Sequence, residues 1–107
     1  MKRVQLVASL VAQIRAFLAQ YDVRSWPEVL KEWEAMLSRV RTDSEAIVVF
    51  RHIREGLWGM GRLADVVIAP DGGHVTTDQR QLDSINEQFL LMVKALSDSV
   101  AVDTPAP

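Results

Sequence analysis

The stretch from Gly56 to Ile68 most limits what this chain can fold into, because its residue pattern differs from the helical pattern on either side. Gly56, Gly59 and Gly61 interrupt a helical pattern, and a β-branched run follows them. Glycine adopts positive φ without a Cβ penalty, so any of the three can supply the left-handed residue that ends the preceding helix. The spacing predicts chain reversal and close packing. It predicts no phosphate-binding loop, because no preceding strand and no Lys-Ser/Thr pair accompany it.

A first helix is predicted over about residues 3–20, because apolar residues recur there at alternating spacings of three and four. These residues are Val4, Val7, Val11, Ile14, Leu18 and Tyr21. Leu6, Leu10 and Phe17 widen the stripe on one side, beyond what a single partner helix needs. A homodimer formed through this helix is therefore one expectation.

Two further helices are predicted before the glycines, each with a capping signal at its start. Ser25 is the expected N-cap of a helix over 26–40, with Pro27 in its first turn. The segment from Thr42 to Glu45 has the capping-box pattern, and a helix is expected over about 43–57. Two tryptophans seven residues apart in the second helix, Trp26 and Trp33, are interpreted as packing residues.

The segment after the glycines is compatible with two local structures. Residues 63–69 form either a short strand or one further helical turn, and 70–73 are a strong turn signal before a second short strand at 74–76. Thr77 or Asp78 then caps a last helix that runs to about residue 100. The fold class is thus a mainly α, four-helix bundle-like domain over 1–102, with a Gly-rich loop and a short β-hairpin as an option between helices 3 and 4. Residues 103–107 are expected to be a disordered tail.

Charge is distributed unevenly along the chain. The formal net charge is −2, but residues 63–107 hold two basic residues against seven acidic ones. Such a balance disfavours nucleic acid and favours a basic protein partner, with a solvated acidic face as the commoner alternative. The predicted partner-binding residues are Asp71, Asp78, Asp83, Glu87, Trp58 and Arg62. The chain has no cysteine and no apolar run long enough to span a bilayer, so we expect a cytoplasmic protein without membrane attachment.

No catalytic, cofactor or metal site is predicted. His52 and His74 lack the spacing that would bring two nitrogens onto one zinc ion. The carboxylates of Glu32 and Glu34 are expected to be solvated. Asp65 stands within an apolar run, so it is expected to accept backbone N–H groups freed by the glycines or to pair with an arginine. A small enzyme or ligand-binding domain, with a pocket near Trp58, His52 and Asp65, stays as one alternative function, and a helical dimer with a structural role is the other.

The glycine stretch resembles a motif found in a group of small, mostly uncharacterised bacterial proteins. The motif reads aromatic-G-G-M-G-S-(L/F)-x-D-(L/V)-(L/V), and its matching positions here are Gly59, Met60, Gly61, Leu63, Asp65, Val66 and Val67. Trp58 stands where the motif has its first glycine, and Arg62 where it has serine. Proteins of this kind resemble immunity proteins, which bind and occlude a secreted antibacterial toxin. The resemblance implies a protein-binding role, a toxin as partner and no catalytic residues.

Overall fold

The computed structural model of the protein describes residues 2–21, 23, 25–59, 61–66 and 78–101. These residues are mainly helical, as predicted, and contain no strand. Their elements in chain order are α1 (Lys2–Gln20), α2 (Pro27–Ser38), α3 (Asp43–Glu55), the 3₁₀ turn η1 (Leu63–Asp65) and α4 (Gln79–Ser99). None of the described helices combines the length and the apolar character that a membrane crossing requires.

Helix α1 lies between α2 and α4, and this position explains its wide apolar stripe. The central residues Val7, Val11, Ile14 and Leu18 have no exposed surface. On one side of them Phe17 stacks against Phe89 of α4, with ring centroids 6.2 Å apart. Leu10 and Phe17 therefore find apolar neighbours within the same chain, and Leu6, which is 52% exposed, is the stripe residue left to solvent.

The ends of the helices agree with the capping signals in two cases and differ in one. At the start of α3, the Thr42 side chain accepts from the Glu45 N–H at 3.1 Å, and the Glu45 carboxylate accepts from the Thr42 N–H. This confirms the capping box, and Asp78 likewise caps α4. The predicted Ser25 cap is wrong: Trp26 is the N-cap of α2, without a side-chain hydrogen bond, because Pro27 occupies the first helical position.

The three glycines have different structural roles. Gly56 follows α3 with φ −91°, so it is not the left-handed residue, and α3 ends at Glu55 rather than at residue 57. A Cβ at Gly56 would lie 2.7 Å from the Trp33 ring, which shows that this glycine permits close packing. Gly59 and Gly61 have φ +113° and +76° and turn the chain. The prediction of chain reversal and close packing is confirmed.

After the turn the chain folds back on the end of α3. The Leu63 N–H donates to the Gly56 carbonyl at 2.9 Å, and the Ala64 N–H donates to the Leu57 carbonyl at 2.7 Å. Residues 63–65 form a 3₁₀ turn, so the helical alternative holds there and a strand does not. The rest of the predicted hairpin, at 67–76, and the tail at 103–107 lie outside the described residues.

Arg3 joins the two ends of the described chain. Its guanidinium donates through Nε to the Ser99 carbonyl at 2.9 Å and through a terminal nitrogen to the Ala101 carbonyl. The same group lies 5.0 Å from the centroid of the Phe50 ring. One side chain of α1 thus contacts both the carboxyl end of α4 and an aromatic residue of α3.

Candidate functional site

One side of α4 carries polar and apolar residues that the core does not use. They follow the helical spacings of four, three, four and three residues, and we call them the α4 flank: Asp83, Glu87, Leu90, Lys94 and Ser97. The buried stripe of the same helix, which includes Leu82, Phe89 and Val93, lies on another face. Over fourteen residues the flank extends for about 21 Å at 1.5 Å per residue. A continuous surface of this length suits contact with another protein.

Trp58 closes the carboxyl end of the α4 flank. Its indole Nε1–H donates to the Ser97 hydroxyl at 2.9 Å, and the residue remains 49% exposed. The neighbouring η1 turn packs against α4 and buries Leu63 completely. The hydrogen bond fixes one edge of the indole while leaving much of the ring accessible. This arrangement gives a large aromatic group with little side-chain entropy left to lose on binding.

The acidic end of the flank carries two exposed carboxylates, Asp83 and Glu87. Asp83 accepts from the side-chain amide of Gln79 at 2.8 Å, which is a neutral partner. Across the described part of the chain, neither Asp83 nor Glu87 forms an ion pair. Leu90, which is 44% exposed, follows these carboxylates on the same face. The flank therefore combines negative charge, an exposed aliphatic side chain and an exposed indole.

Asp78 and Arg62, two further predicted partner-binding residues, have contacts of their own. Asp78 is the N-cap of α4, where its carboxylate accepts from the Arg80 N–H at 2.9 Å. This carboxylate therefore caps the first turn of the helix. Arg62 lines a cavity between α2 and α3. Asp71 lies outside the described residues.

The motif residues shape the loop that carries Trp58. Asp65 is exposed, and its Oδ2 accepts from the Gly61 N–H at 3.0 Å. Of the two roles predicted for this carboxylate, the structure confirms the acceptance of a backbone N–H at a glycine. Gly59 and Gly61 supply the positive φ values between Trp58 and this bond. Met60 lies outside the described residues.

A second surface is a groove between α2 and α3, which we call the α2–α3 groove. It contains two cavities of about 300 Å³ each. The first lies towards the end of α2 and is lined by Met36, Arg39, Val40, Glu45, Val48 and Val49. The second is lined by Trp26, Val29, Trp33, His52, Glu55, Gly56 and Arg62. Of the alternative pocket predicted near Trp58, His52 and Asp65, only His52 borders this cavity.

Two contacts that sequence patterns did not indicate connect the helices. Arg15 donates through Nε to the Glu34 carboxylate at 2.6 Å, so Glu34 is paired rather than merely solvated, contrary to the prediction. Arg3 contacts α3 and α4 as described above. The opposite charges of Arg15 and Glu34 are nineteen residues apart, and only the packing of α1 on α2 brings them together.

Comparison of the chain with protein-family models, with characterised proteins and with solved structures finds no match. Within the described ranges, no three His, Cys, Asp or Glu side chains converge as a metal site would require. The α4 flank and the α2–α3 groove are therefore interpreted from their own chemistry.

Proposed function

We propose that this protein is a protein-binding module that uses the α4 flank to occlude a basic partner, and that the partner is a secreted antibacterial toxin. The observation that carries the proposal is that two exposed carboxylates and Leu90 lie on one face of α4, with the exposed indole of Trp58 hydrogen-bonded at the end of that face. The toxin follows from the resemblance of the glycine stretch to proteins that resemble immunity proteins. As an immunity protein, the chain would act in the cytoplasm.

The residues of the flank have separate roles in this proposal. Asp83 and Glu87 attract a basic surface and raise the association rate, since exposed charges act mainly on encounter. Leu90 and Trp58 are the anchors that lose water in the complex and so set the dissociation rate. The lateral position of the flank on a packed helix keeps it rigid when the partner binds.

The test measures binding to the proteins encoded next to this gene, by surface plasmon resonance at two ionic strengths. Glu87→Lys should lower the association rate about tenfold at 20 mM salt and less than about twofold at 0.5 M, because salt screens exposed charges. Glu32→Lys is the matched control: it makes the same charge change at an exposed position of α2. Trp58→Ala should instead raise the dissociation rate.

Two results would contradict the proposal. If Glu32→Lys slows association as much as Glu87→Lys, net charge acts rather than the flank. If no protein encoded by the flanking genes binds, the toxin assignment is wrong. Circular dichroism of each variant checks that the helical fold is retained, so loss of binding can be assigned to the surface.

A further inference from the structure

We infer that the protein forms a weak two-fold dimer in which the α4 helices of two copies pack antiparallel through their exposed leucines. Leu90 and Leu91 lie at the middle of α4 and are 44% and 60% exposed. As consecutive residues they are about 100° apart around the helix, so together they cover a broad part of its outward side. This side of α4 thus has an apolar centre on which a second helix can pack.

The charged residues around the leucine pair are arranged symmetrically. Glu87 lies three residues before Leu90, and Lys94 lies three residues after Leu91. Both are exposed, and in the described part of the chain neither forms an ion pair. They cannot pair with each other within one helix, because seven residues separate them by about 10 Å along its axis. Each charge is therefore available to a second copy.

A two-fold axis through the leucine pair brings opposite charges together. In an antiparallel arrangement Leu90 of one copy lies opposite Leu91 of the other, and Glu87 lies opposite Lys94 on both sides of the axis. A parallel arrangement would instead place each charge opposite its like charge, which is unfavourable. The same four side chains complete the contact twice, as an isologous interface requires. Their order therefore selects a second copy of this chain as the occupant, in one orientation.

The next charges outward oppose the contact, but they lie farther from its centre. Asp83 lies seven residues before Leu90 and Asp98 seven after Leu91, so the two-fold axis places them at the same level. This level is about 11 Å from the crossing point, against about 5 Å for the inner charges. Packed helices cross at about 20–50°, so they diverge with distance from that point. Arg80, which is exposed one turn before Asp83, offsets part of the repulsion.

The dimer is weak, and it covers part of the surface of the proposed partner contact. A single pair of helices buries less than the roughly 1,600 Å² of a standard interface, so association belongs to high protein concentration. A partner that covers Glu87 and Leu90 excludes a second copy, so the two kinds of binding compete. The inference does not depend on the identity of that partner.

The test is sedimentation equilibrium of the purified chain from about 20 µM to about 1 mM in low salt, a range that suits a weak contact. The average mass of the wild type should rise above the 12.0 kDa of one chain towards twice that value. Glu87→Lys and Lys94→Glu each place like charges at both inner positions, so each should raise the dissociation constant at least about tenfold. Glu32→Lys makes the same charge change at an exposed position of α2, so it is the control and should dimerise as the wild type.

Two rearrangements of the same charges give the decisive result. A chain with both Glu87→Lys and Lys94→Glu regains opposite charges across the axis and should dimerise as the wild type. An equimolar mixture of the two single variants should form a 1:1 dimer, because two lysines of one chain meet two glutamates of the other. Asp83→Lys removes the outer repulsion and should strengthen the dimer severalfold.

Three results would overturn the inference: a wild type that stays at 12.0 kDa at the highest concentration, a double exchange that stays monomeric, or a Glu87→Lys variant that dimerises as the wild type. Circular dichroism checks that each variant keeps the helical fold. Because no partner is present, a monomeric wild type leaves the proposed function standing. Failure of the flanking-gene proteins to bind likewise leaves the dimer standing.

Discussion

Alanine at Gly61 and alanine at Gly56 should both destabilise the fold, but for different physical reasons. Gly61 has φ +76°, and a Cβ built there meets no atom within 4 Å. The cost of Gly61→Ala is therefore that of a left-handed backbone with a Cβ, about 1–2 kcal/mol. Asparagine tolerates this region better, so Gly61→Asn should recover about half of that loss. A β-branched residue is the poorest choice, and Gly61→Val should cost about 1–3 kcal/mol.

At Gly56 the backbone is ordinary and the neighbouring ring causes the cost. Its φ of −91° suits any residue, but a Cβ would lie 2.7 Å and 3.1 Å from two atoms of the Trp33 ring. Trp33 is buried and packs edge-on against Trp26, with ring centroids 6.1 Å apart, so the ring cannot move freely. Forcing an added methyl into such packing costs about 1–3 kcal/mol. Asparagine is larger than alanine, so Gly56→Asn should be worse.

The assay is thermal and urea unfolding of the five variants, followed by circular dichroism. For a domain of this size, 1 kcal/mol shifts the melting temperature by about 4–8 °C. At Gly61 the asparagine variant should be more stable than the alanine variant. At Gly56 it should be less stable. If Gly61→Asn is no more stable than Gly61→Ala, backbone conformation is not the cause at that position. If Gly56→Asn is the more stable variant at its site, the ring contact is not limiting.

Three other substitutions, with a fourth as a control, test contacts that the structure assigns. Arg3→Met keeps an apolar stem but removes two hydrogen bonds to the end of α4 and the contact with Phe50, and urea unfolding should show a loss of about 1 kcal/mol. Thr42→Ala removes one half of the capping box, and the same measurement should show a loss of about 1 kcal/mol. Asp78→Ala should cost about as much, because Asp78 is an N-cap, whereas Asp83→Ala on the adjacent turn should stay within about 0.5 kcal/mol. Equal losses at the two aspartates would contradict the cap.

The helices themselves were predictable because each signal is local. Apolar spacing of three and four residues identified α1 and α4, and the capping box between Thr42 and Glu45 identified the start of α3. The same local reasoning places the cap of α2 at Ser25, one residue before the observed N-cap Trp26. It also could not show that Gly56 is needed for packing, because the contact that requires it is with Trp33, a residue of another helix.

The candidate surface could be predicted only in part, because tertiary packing brings some of its residues together from distant parts of the chain. Asp83, Glu87 and Trp58 were predicted from charge and residue type. The sequence pattern contains no sign that the indole of Trp58 meets Ser97, thirty-nine residues away. Nor does it show that Arg62 borders the α2–α3 groove. Both placements depend on the loop that Gly59 and Gly61 turn, and therefore on backbone geometry rather than on residue type.

The location of the α4 flank follows from how many neighbours each helix has. Helix α1 packs against helices on two sides, so its wide apolar stripe, apart from Leu6, packs into the core. Helix α4 packs against α1 and against the short η1 turn, and Asp83, Glu87 and Leu90 are exposed on another side of it. A helix face without a neighbour need not be apolar, and here it carries Asp83 and Glu87 followed by Leu90. The residues that the core leaves unused thus determine both the place of the proposed contact and the basic character of the partner that would fit it.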